Sequence, residues 1–149
     1  MNKRRITKAL AKAPACIVAE LAAPIRSEYQ PLIVNKPSKA LAMIKMREPV
    51  KQSQFYLGEV VVYEAAVEID GVGGMAVSMT DEQDKILDMA IIDAAINKGV
   101  FADMEALEVL ENHQHHQAMQ LNALHLKTMV NFESMDGEAP DDLAASQKA

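Results

Sequence analysis

Apolar side chains recur at every second position along residues 55–69, and Glu59 is the only polar exception on the face that starts at Phe55. A period of two is typical of a β-strand that turns one face towards a core. Fifteen residues are too many for one flat strand, so we expect a bulge or a bend within it. The Asp-Gly and Gly-Gly steps of "DGVGG" predict a hairpin turn, and "MAVSM" predicts the returning strand.

Two further strands are predicted upstream of this long one. The segment "YQPLIVNK" has Pro31 near its start, and "KALAMIKMR" shows a weaker alternation that Glu48 and Pro49 end. A polar loop over residues 49–54 then leads into the long strand. These segments together predict a small antiparallel sheet of three to four strands.

Helical patterns flank the predicted strands. Residues 4–12 and 16–27 predict one or two helices, broken near Pro14 and Pro24. A long helix is predicted from about Asp103 to Val130.

The segment "TDEQDKILDMAIIDAAINKG" predicts a helix with defined ends. Thr80 is a candidate N-cap and Gln83 completes a capping box, while Lys98 and Gly99 are typical of a helix C-terminus. Residues 89–96 are apolar all round except for Asp93.

The predicted fold class is therefore α+β, with a small antiparallel sheet of three to four strands packed with several α-helices. Residues 1–132 form a single predicted domain, as expected for a chain of 149 residues. Residues 133–149 are acidic, rich in small side chains and proline-bearing, so we expect a disordered tail.

Charge is unevenly distributed along the chain. Residues 1–51 contain 11 Lys and Arg against 3 Asp and Glu, although the whole chain has a net charge of −6. The basic half could face nucleic acid or phosphates, or it could match partner subunits or the acidic half of the same chain. Tyr29 is the only aromatic residue in the basic half, which disfavours a nucleic-acid stacking surface.

Cys16 is the only cysteine, so the chain cannot form an internal disulfide or hold an iron–sulfur cluster by itself. The basic start "MNKRRITKAL" is not followed by a long apolar segment, and no apolar run reaches the length of a membrane span. We therefore expect no membrane association and a reduced, cytoplasmic setting.

Glu59 and Asp93 are the candidate functional carboxylates, because each is a lone polar residue in an apolar setting. An unpaired carboxylate is costly to bury, so each needs a partner or access to solvent. Arg47 is a candidate partner, since its guanidinium could bind a carboxylate through two hydrogen bonds. The two carboxylates could form a ligand-facing acid pair, or they could be structural or assembly residues, which is the interpretation we favour.

Sequence signatures of self-contained catalysis are missing. "GVGG" leads from one strand into another and does not open a helix, which is unlike a phosphate-binding loop. In "NHQHHQ", His113 and His116 share a helix face while His115 points nearly opposite, so a metal ion would need a third ligand from elsewhere, such as Glu111 or His125. We predict an exposed polar helix face there and not a metal site, and we expect no cofactor in this chain.

The ordered motifs resemble a known family. "LAMIKMREPV", "FYLGEVVVYEAAVEIDGVGGMAVSM", "ILDMAIIDAAI" and a final Thr-Met-Val segment follow one another as they do in the G subunit family of the bacterial carbon–phosphorus lyase (phosphonate lyase) system. The resemblance spans about residues 5–130. It adds Gly58, from the Gly-Glu pair of the family pattern, to Arg47, Glu59 and Asp93 as candidate structural or assembly residues.

The resemblance implies a member of a cytoplasmic core complex with the I, H and J subunits. Together with the I, H and L subunits, such a chain is required to transfer the ribose triphosphate part of ATP to an alkylphosphonate, with displacement of adenine. The complex is then the transferase (alpha-D-ribose 1-methylphosphonate 5-triphosphate synthase), ATP is its substrate, and this chain is inactive alone. The alternatives are a stand-alone enzyme that uses Glu59 and Asp93, and a nucleic-acid-associated adaptor that uses the basic first half.

The second face of the long strand bears on assembly. It carries Tyr56, Val60, Val62 and Ala66, which are too apolar to be left wholly in water. We therefore expect the isolated chain to self-associate unless a partner covers this face.

Overall fold

A computed structural model describes residues 1–130 of the protein. The described residues divide into two compact units, Met1–His116 and a second unit that begins at Gln117. The first unit contains, in chain order, α1 (Lys3–Lys12), α2 (Ala15–Tyr29), β1 (Leu32–Arg47), β2 (Gln54–Ile69), β3 (Val72–Ser78) and α3 (Gln83–Lys98). A fourth helix, α4 (Met104–Leu126), begins in the first unit and ends in the second. The α+β prediction is confirmed.

The sheet has three antiparallel strands in the order β1-β2-β3. The predicted hairpin turn joins β2 to β3, with Asp70 at φ 48° and Gly71 at φ 83°. Positive φ at both central residues is the geometry of a type I′ turn, which matches the twist of the flanking strands. The two strands predicted upstream are one continuous strand, β1, whose register against β2 shifts twice between Ile33 and Ser38.

The expected irregularity in the long strand lies at Leu57. Ile44 of β1 pairs with Gly58, whereas the next residue, Lys45, pairs with Tyr56, so Leu57 is an extra residue on β2. Such a bulge bends the strand and changes which face the following side chains occupy.

Because of the bulge, the eight residues that were predicted to share one face of β2 do not all lie on the same face. Cross-strand partners share a sheet face, and Phe55 pairs with Met46 while Glu59 pairs with Met43. Because Met43 and Met46 lie three positions apart on β1, Phe55 and Glu59 are on opposite faces of the sheet. By the same pairing, Tyr56 lies on the face of Glu59.

Helix α3 lies at the centre of the first unit. It packs on β2 and β3 on one side and on α2 on another, and it also contacts α1. Nine of its residues are buried, which is why its sequence is apolar almost all round. Gly74 of β3 makes the closest approach, because a Cβ atom at this position would lie 2.2 Å from the backbone nitrogen of Ala94.

Two predicted helix boundaries are wrong. Pro24 lies inside α2 and does not break it, since Ala22 and Ile25 on either side are buried in the core and their packing outweighs the lost hydrogen bond. Thr80 does not cap α3, which begins at Gln83 after Glu82. The Thr80 hydroxyl instead accepts a hydrogen bond from the Glu82 N–H at 3.3 Å, two residues along the chain.

The predicted tail, residues 133–149, lies outside the described residues. In the described part of the second unit, the Thr128 hydroxyl donates a hydrogen bond to the His125 carbonyl at the end of α4. None of the helices within residues 1–130 has the length and apolar character needed to cross a membrane.

Candidate functional site

The main candidate site is a two-stranded ribbon that carries exposed apolar side chains, residues 38–61 of β1, β2 and the loop between them. We call this segment the distal ribbon. Among residues 1–130, α3 packs against β3 and against the buried end of β2, where Ala65, Val67 and Ile69 lie in the core. Further along the ribbon, large apolar side chains have relative exposures between 39% and 83%: Leu41, Met43, Ile44, Met46, Val50, Phe55, Tyr56, Leu57 and Val61.

These side chains occupy both faces of the distal ribbon. The pairs Leu41–Val61 and Lys45–Tyr56 lie on one face, and the pair Met46–Phe55 lies on the other. A soluble antiparallel sheet commonly has one apolar face and one polar face. Apolar residues on both faces therefore indicate a surface that another molecule covers.

The predicted second apolar face is wrong at Tyr56, because the bulge places this residue on the face of Glu59, and the remainder is covered only in part. Val62 is buried, Val60 and Ala66 are half-buried, and Tyr56 is 58% exposed. A two-stranded ribbon without further cover is only marginally stable in water. The distal ribbon thus has the composition of one side of a protein–protein interface.

Glu59 lies on the distal ribbon and is exposed. Within residues 1–130, no hydrogen bond or ion pair from its side chain is observed. Arg47 pairs across the sheet with Gln54, five residues before Glu59, so the structure does not bring this predicted partner to the carboxylate. Gly58 has open space around it, since a Cβ atom there would meet nothing within 4 Å.

Asp93 has a different environment, with its side chain only 13% exposed. One carboxylate oxygen lies 3.0 Å from Lys3 Nζ, and the other accepts hydrogen bonds from the Met75 N–H at 3.1 Å and from Asn97 Nδ2 at 3.3 Å. Asn97 Nδ2 also donates to the Gly73 carbonyl at 2.8 Å. These contacts tie α3 and the start of α1 to the outer edge of β3.

A cleft of about 360 Å³ adjoins Asp93. Its polar side chains are Lys3, Glu68, Asp93 and Asn97, and Glu59 is not among the residues that line it. Ala66, which lines the cleft, lies seven positions after Glu59 on β2, and this corresponds to about 23 Å of strand. Since both oxygens of Asp93 already accept hydrogen bonds or an ion pair, the geometry does not support an acid pair of Glu59 and Asp93.

Two buried charged residues on α3 were missed by the sequence reasoning. Asp88 is 2% exposed and its Oδ1 contacts the Arg26 guanidinium, while burial raises the pKa of its carboxyl although Arg26 opposes the rise. Lys85 is 5% exposed and donates to the Ala11 carbonyl at 2.9 Å. Extending the apolar window towards the start of the helix would have shown both as polar residues on a buried helix.

Basic residues of the first half pair with acidic residues of the second half. Besides the Lys3–Asp93 and Arg26–Asp88 contacts, Arg5 forms two hydrogen bonds with Glu111, at 2.8 and 2.6 Å. These two hydrogen bonds from the Arg5 guanidinium lower the pKa of the Glu111 carboxyl. Part of the charge asymmetry in the sequence is therefore satisfied within the chain, as one of its interpretations predicted.

The histidines of "NHQHHQ" lie on α4. In the part of the chain that the structure describes, no group of three or more His, Cys, Asp or Glu residues is placed to hold a metal ion. Cys16 is a free, exposed thiol on α2. The absence of a metal site in the intact protein stays a prediction.

Comparison with known families points to one biological process. Residues 1–137 match the family model of phosphonate metabolism protein PhnG. The match covers every residue that the structure describes, including the distal ribbon and the cleft beside Asp93. No curated protein matches the chain.

Proposed function

Because the chain belongs to the family of phosphonate metabolism protein PhnG, we propose that it is a non-catalytic or co-catalytic subunit of the carbon–phosphorus lyase core complex. The family gives it a role in phosphonate metabolism, as the sequence resemblance predicted. The proposal adds partners, a reaction and a location. The partners are the I, H and J subunits, and functionally the L subunit, in the cytoplasm.

The observation that carries the proposal is the distal ribbon. Nine large apolar side chains, on its two faces and in the loop that joins its strands, are at least 39% exposed. Obligate subunit interfaces are apolar and large, roughly 2,000 Å² or more. A ribbon with two apolar faces can be covered on both sides by a partner, and burial of these side chains would favour association by the hydrophobic effect.

In the proposed reaction, a phosphonate oxygen forms a bond to C1′ of the ATP ribose as the bond from C1′ to adenine breaks. The products are adenine and a ribose 1-alkylphosphonate 5-triphosphate. Such a displacement needs groups that stabilise positive charge at C1′ and cations or a metal ion that hold the triphosphate. Within residues 1–130, the Asp93 carboxylate of the cleft is engaged with Lys3, Asn97 and the Met75 N–H, and we place the catalytic groups on a partner, the I subunit.

The test is adenine release from ATP and methylphosphonate. The chain alone should give no release above background, and addition of the I, H and L subunits should restore it. Release of adenine by the purified chain alone would contradict the proposal. Full release by the I, H and L subunits without this chain would contradict it as well.

Substitutions can test the role of the distal ribbon in assembly. The double variant Met43→Ser and Val61→Ser should weaken binding to the partner subunits at least tenfold, which corresponds to about 1.4 kcal/mol. The matched control is Met79→Ser with Val109→Ser, two apolar residues that are 72% and 63% exposed outside the distal ribbon. Equal losses in the two variants would exclude the distal ribbon as the docking surface.

A further inference from the structure

The two edges of the sheet differ in how their backbone groups are satisfied. At the β3 edge, the Met75 N–H donates to Asp93 and the Gly73 carbonyl accepts from Asn97. Two side chains of α3, one helical turn apart, thus occupy the positions that another strand would take. This edge is closed to strand addition at these residues.

The direction of the backbone groups on β1 follows from the same contacts. In an antiparallel pair, the N–H and C=O groups of successive residues point alternately towards and away from the partner strand. The backbone N–H of Met75 points away from β2, so Met75 and its partner Ala66 do not bond to each other. Ala66 therefore directs its own N–H and C=O towards β1. The pairing from Ser38 to Ile44 is regular, and the alternation therefore directs Ala40 and Ala42 towards β2.

Lys39, Leu41 and Met43 consequently direct their backbone N–H and C=O groups away from β2, along the free edge of β1. Within residues 1–130, no backbone group outside the sheet forms a hydrogen bond with these three residues. The edge is irregular nearer to α2, where the register shifts twice between Ile33 and Ser38, a stretch that contains Pro37. The stretch open to an added strand is therefore the part of β1 that belongs to the distal ribbon.

Charge indicates what kind of strand would fit. The distal ribbon carries four basic residues, Lys39, Lys45, Arg47 and Lys51, against Glu48 and Glu59. All four are exposed, and none of them forms an ion pair with a carboxylate within residues 1–130. An acidic partner would complement this surface.

We infer that the free edge of β1 binds an extended, acid-bearing strand of a partner protein, which adds to the sheet beside Lys39, Leu41 and Met43. This inference rests on the proposed function, because it specifies how the distal ribbon docks. Strand addition supplies main-chain hydrogen bonds, and alternate side chains then reach the two apolar faces.

A second copy of this chain fits the edge less well. Antiparallel pairing of two β1 edges about Leu41 would bring together two ribbons that each carry a net positive charge. Like charges across paired strands are destabilising. The charge of the distal ribbon thus favours a different chain as the partner.

The test is hydrogen–deuterium exchange at single-residue resolution in the assembled complex of this chain with the H, I and J subunits. The amides of Ala40 and Ala42 report bonds inside the sheet, and those of Lys39, Leu41 and Met43 report the free edge. We expect both sets to exchange at similar slow rates in the complex. In the dilute chain alone, the edge amides should exchange at least about tenfold faster than Ala40 and Ala42.

The outcomes separate this inference from the proposed function. If the complex forms but the edge amides still exchange at least tenfold faster than Ala40 and Ala42, the distal ribbon docks without strand addition and the inference is wrong. If no complex forms, the proposed function fails. Slow exchange of the edge amides in the chain alone would show that another part of this chain or a second copy occupies the edge, which also overturns the inference.

Two sets of variants provide a second readout. Leu41→Pro removes the outward N–H, whereas Leu41→Ala shortens the same side chain and keeps it, so the proline variant should bind at least tenfold more weakly than the alanine variant. Lys39→Glu with Lys45→Glu should weaken assembly at low salt, with a smaller loss at high salt. Arg4→Glu with Lys12→Glu is the matched control on α1, and equal losses in the two charge variants would contradict an acidic partner strand.

Discussion

The backbone N–H of Met75 donates a hydrogen bond to the Asp93 carboxylate, with 3.1 Å between nitrogen and oxygen. This contact joins the outer edge of β3 to α3, and the same carboxylate also binds Lys3 at the start of α1. A carboxylate held by three elements is well placed to stabilise the fold. It also closes one sheet edge, which leaves β1 as the edge open to a partner.

Removal of the Asp93 side chain should therefore destabilise the chain. We expect Asp93→Ala to lower the free energy of unfolding by about 1–3 kcal/mol, because the Met75 N–H and Lys3 lose their acceptor. Urea denaturation followed by circular dichroism measures the change. Asp93→Asn is the control, since its amide oxygen can still accept a hydrogen bond from the Met75 N–H, and its free energy of unfolding should fall less than that of the alanine variant. Equal decreases in the two variants would show that the hydrogen bond from Met75 contributes nothing to stability.

The close contact between β3 and α3 gives a second prediction. In Gly74→Ala, the new methyl group would lie 2.2 Å from the Ala94 nitrogen and 2.5 Å from the Ala90 carbonyl oxygen, so the helix or the strand must move. We expect a loss of at least about 2 kcal/mol in the free energy of unfolding. Gly73→Ala is the matched control, because a Cβ atom there meets nothing within 4 Å. Similar stabilities of the two variants would contradict the packing of α3 on β3.

A third prediction concerns the dependence of stability on pH. Burial raises the pKa of Asp88 in the folded chain, so the folded state favours the protonated carboxyl more than the unfolded state does. This contribution to stability is fully present below the unfolded pKa of about 3.9 and is lost as the pH rises through the folded pKa.

The Asp88→Asn variant isolates this contribution. Relative to this variant, the wild-type chain should lose stability as the pH rises from about 4. Denaturation at a series of pH values measures the difference. Asp81→Asn, an exposed acid just before α3, should show no such trend. A wild-type chain that gains stability over Asp88→Asn with rising pH would show that Arg26 outweighs burial.

Substitution of Glu59 tests whether the chain is an enzyme in its own right. Its side chain is exposed, and no partner for it is observed within residues 1–130, so Glu59→Gln should change the free energy of unfolding by less than about 0.5 kcal/mol. An assembly role predicts that any defect lies in affinity for the partner subunits, by about 1–3 kcal/mol if charge-assisted bonds to a partner are lost. A variant that assembles normally yet loses almost all adenine release would instead identify Glu59 as catalytic.

Local sequence signals predicted the elements whose formation depends on neighbouring residues. The long strand predicted from the alternation over residues 55–69, the Asp70–Gly71 turn and the Gly99 helix end are all observed, because turn geometry and strand propensity are local properties. The helix break at Pro24 was wrong, since packing of α2 in the core decides that position. The position of the bulge was also not predictable, and it moved Phe55 to the face opposite Glu59.

The sites depend on tertiary contacts, and the sequence predicted them less well. Asp93 stood out as a lone acid on an apolar helix, but its bond to the Met75 N–H requires the approach of α3 to β3 at Gly74. Glu59 stood out in the same way, yet it is exposed because the distal ribbon extends past the elements that bury Ala65 and Val67. A period of two shows that a face is apolar, but it does not show whether this chain or another one covers it.

The most direct test of the account is the assembly state of the chain with and without the I subunit. Size-exclusion chromatography with light scattering would compare the chain expressed alone with the chain co-expressed with the I subunit. We expect the chain alone to self-associate through the exposed apolar side chains of the distal ribbon, and we expect a defined soluble complex on co-expression. A monodisperse monomer that shows no detectable binding to the I subunit would contradict the claim that this chain acts through assembly.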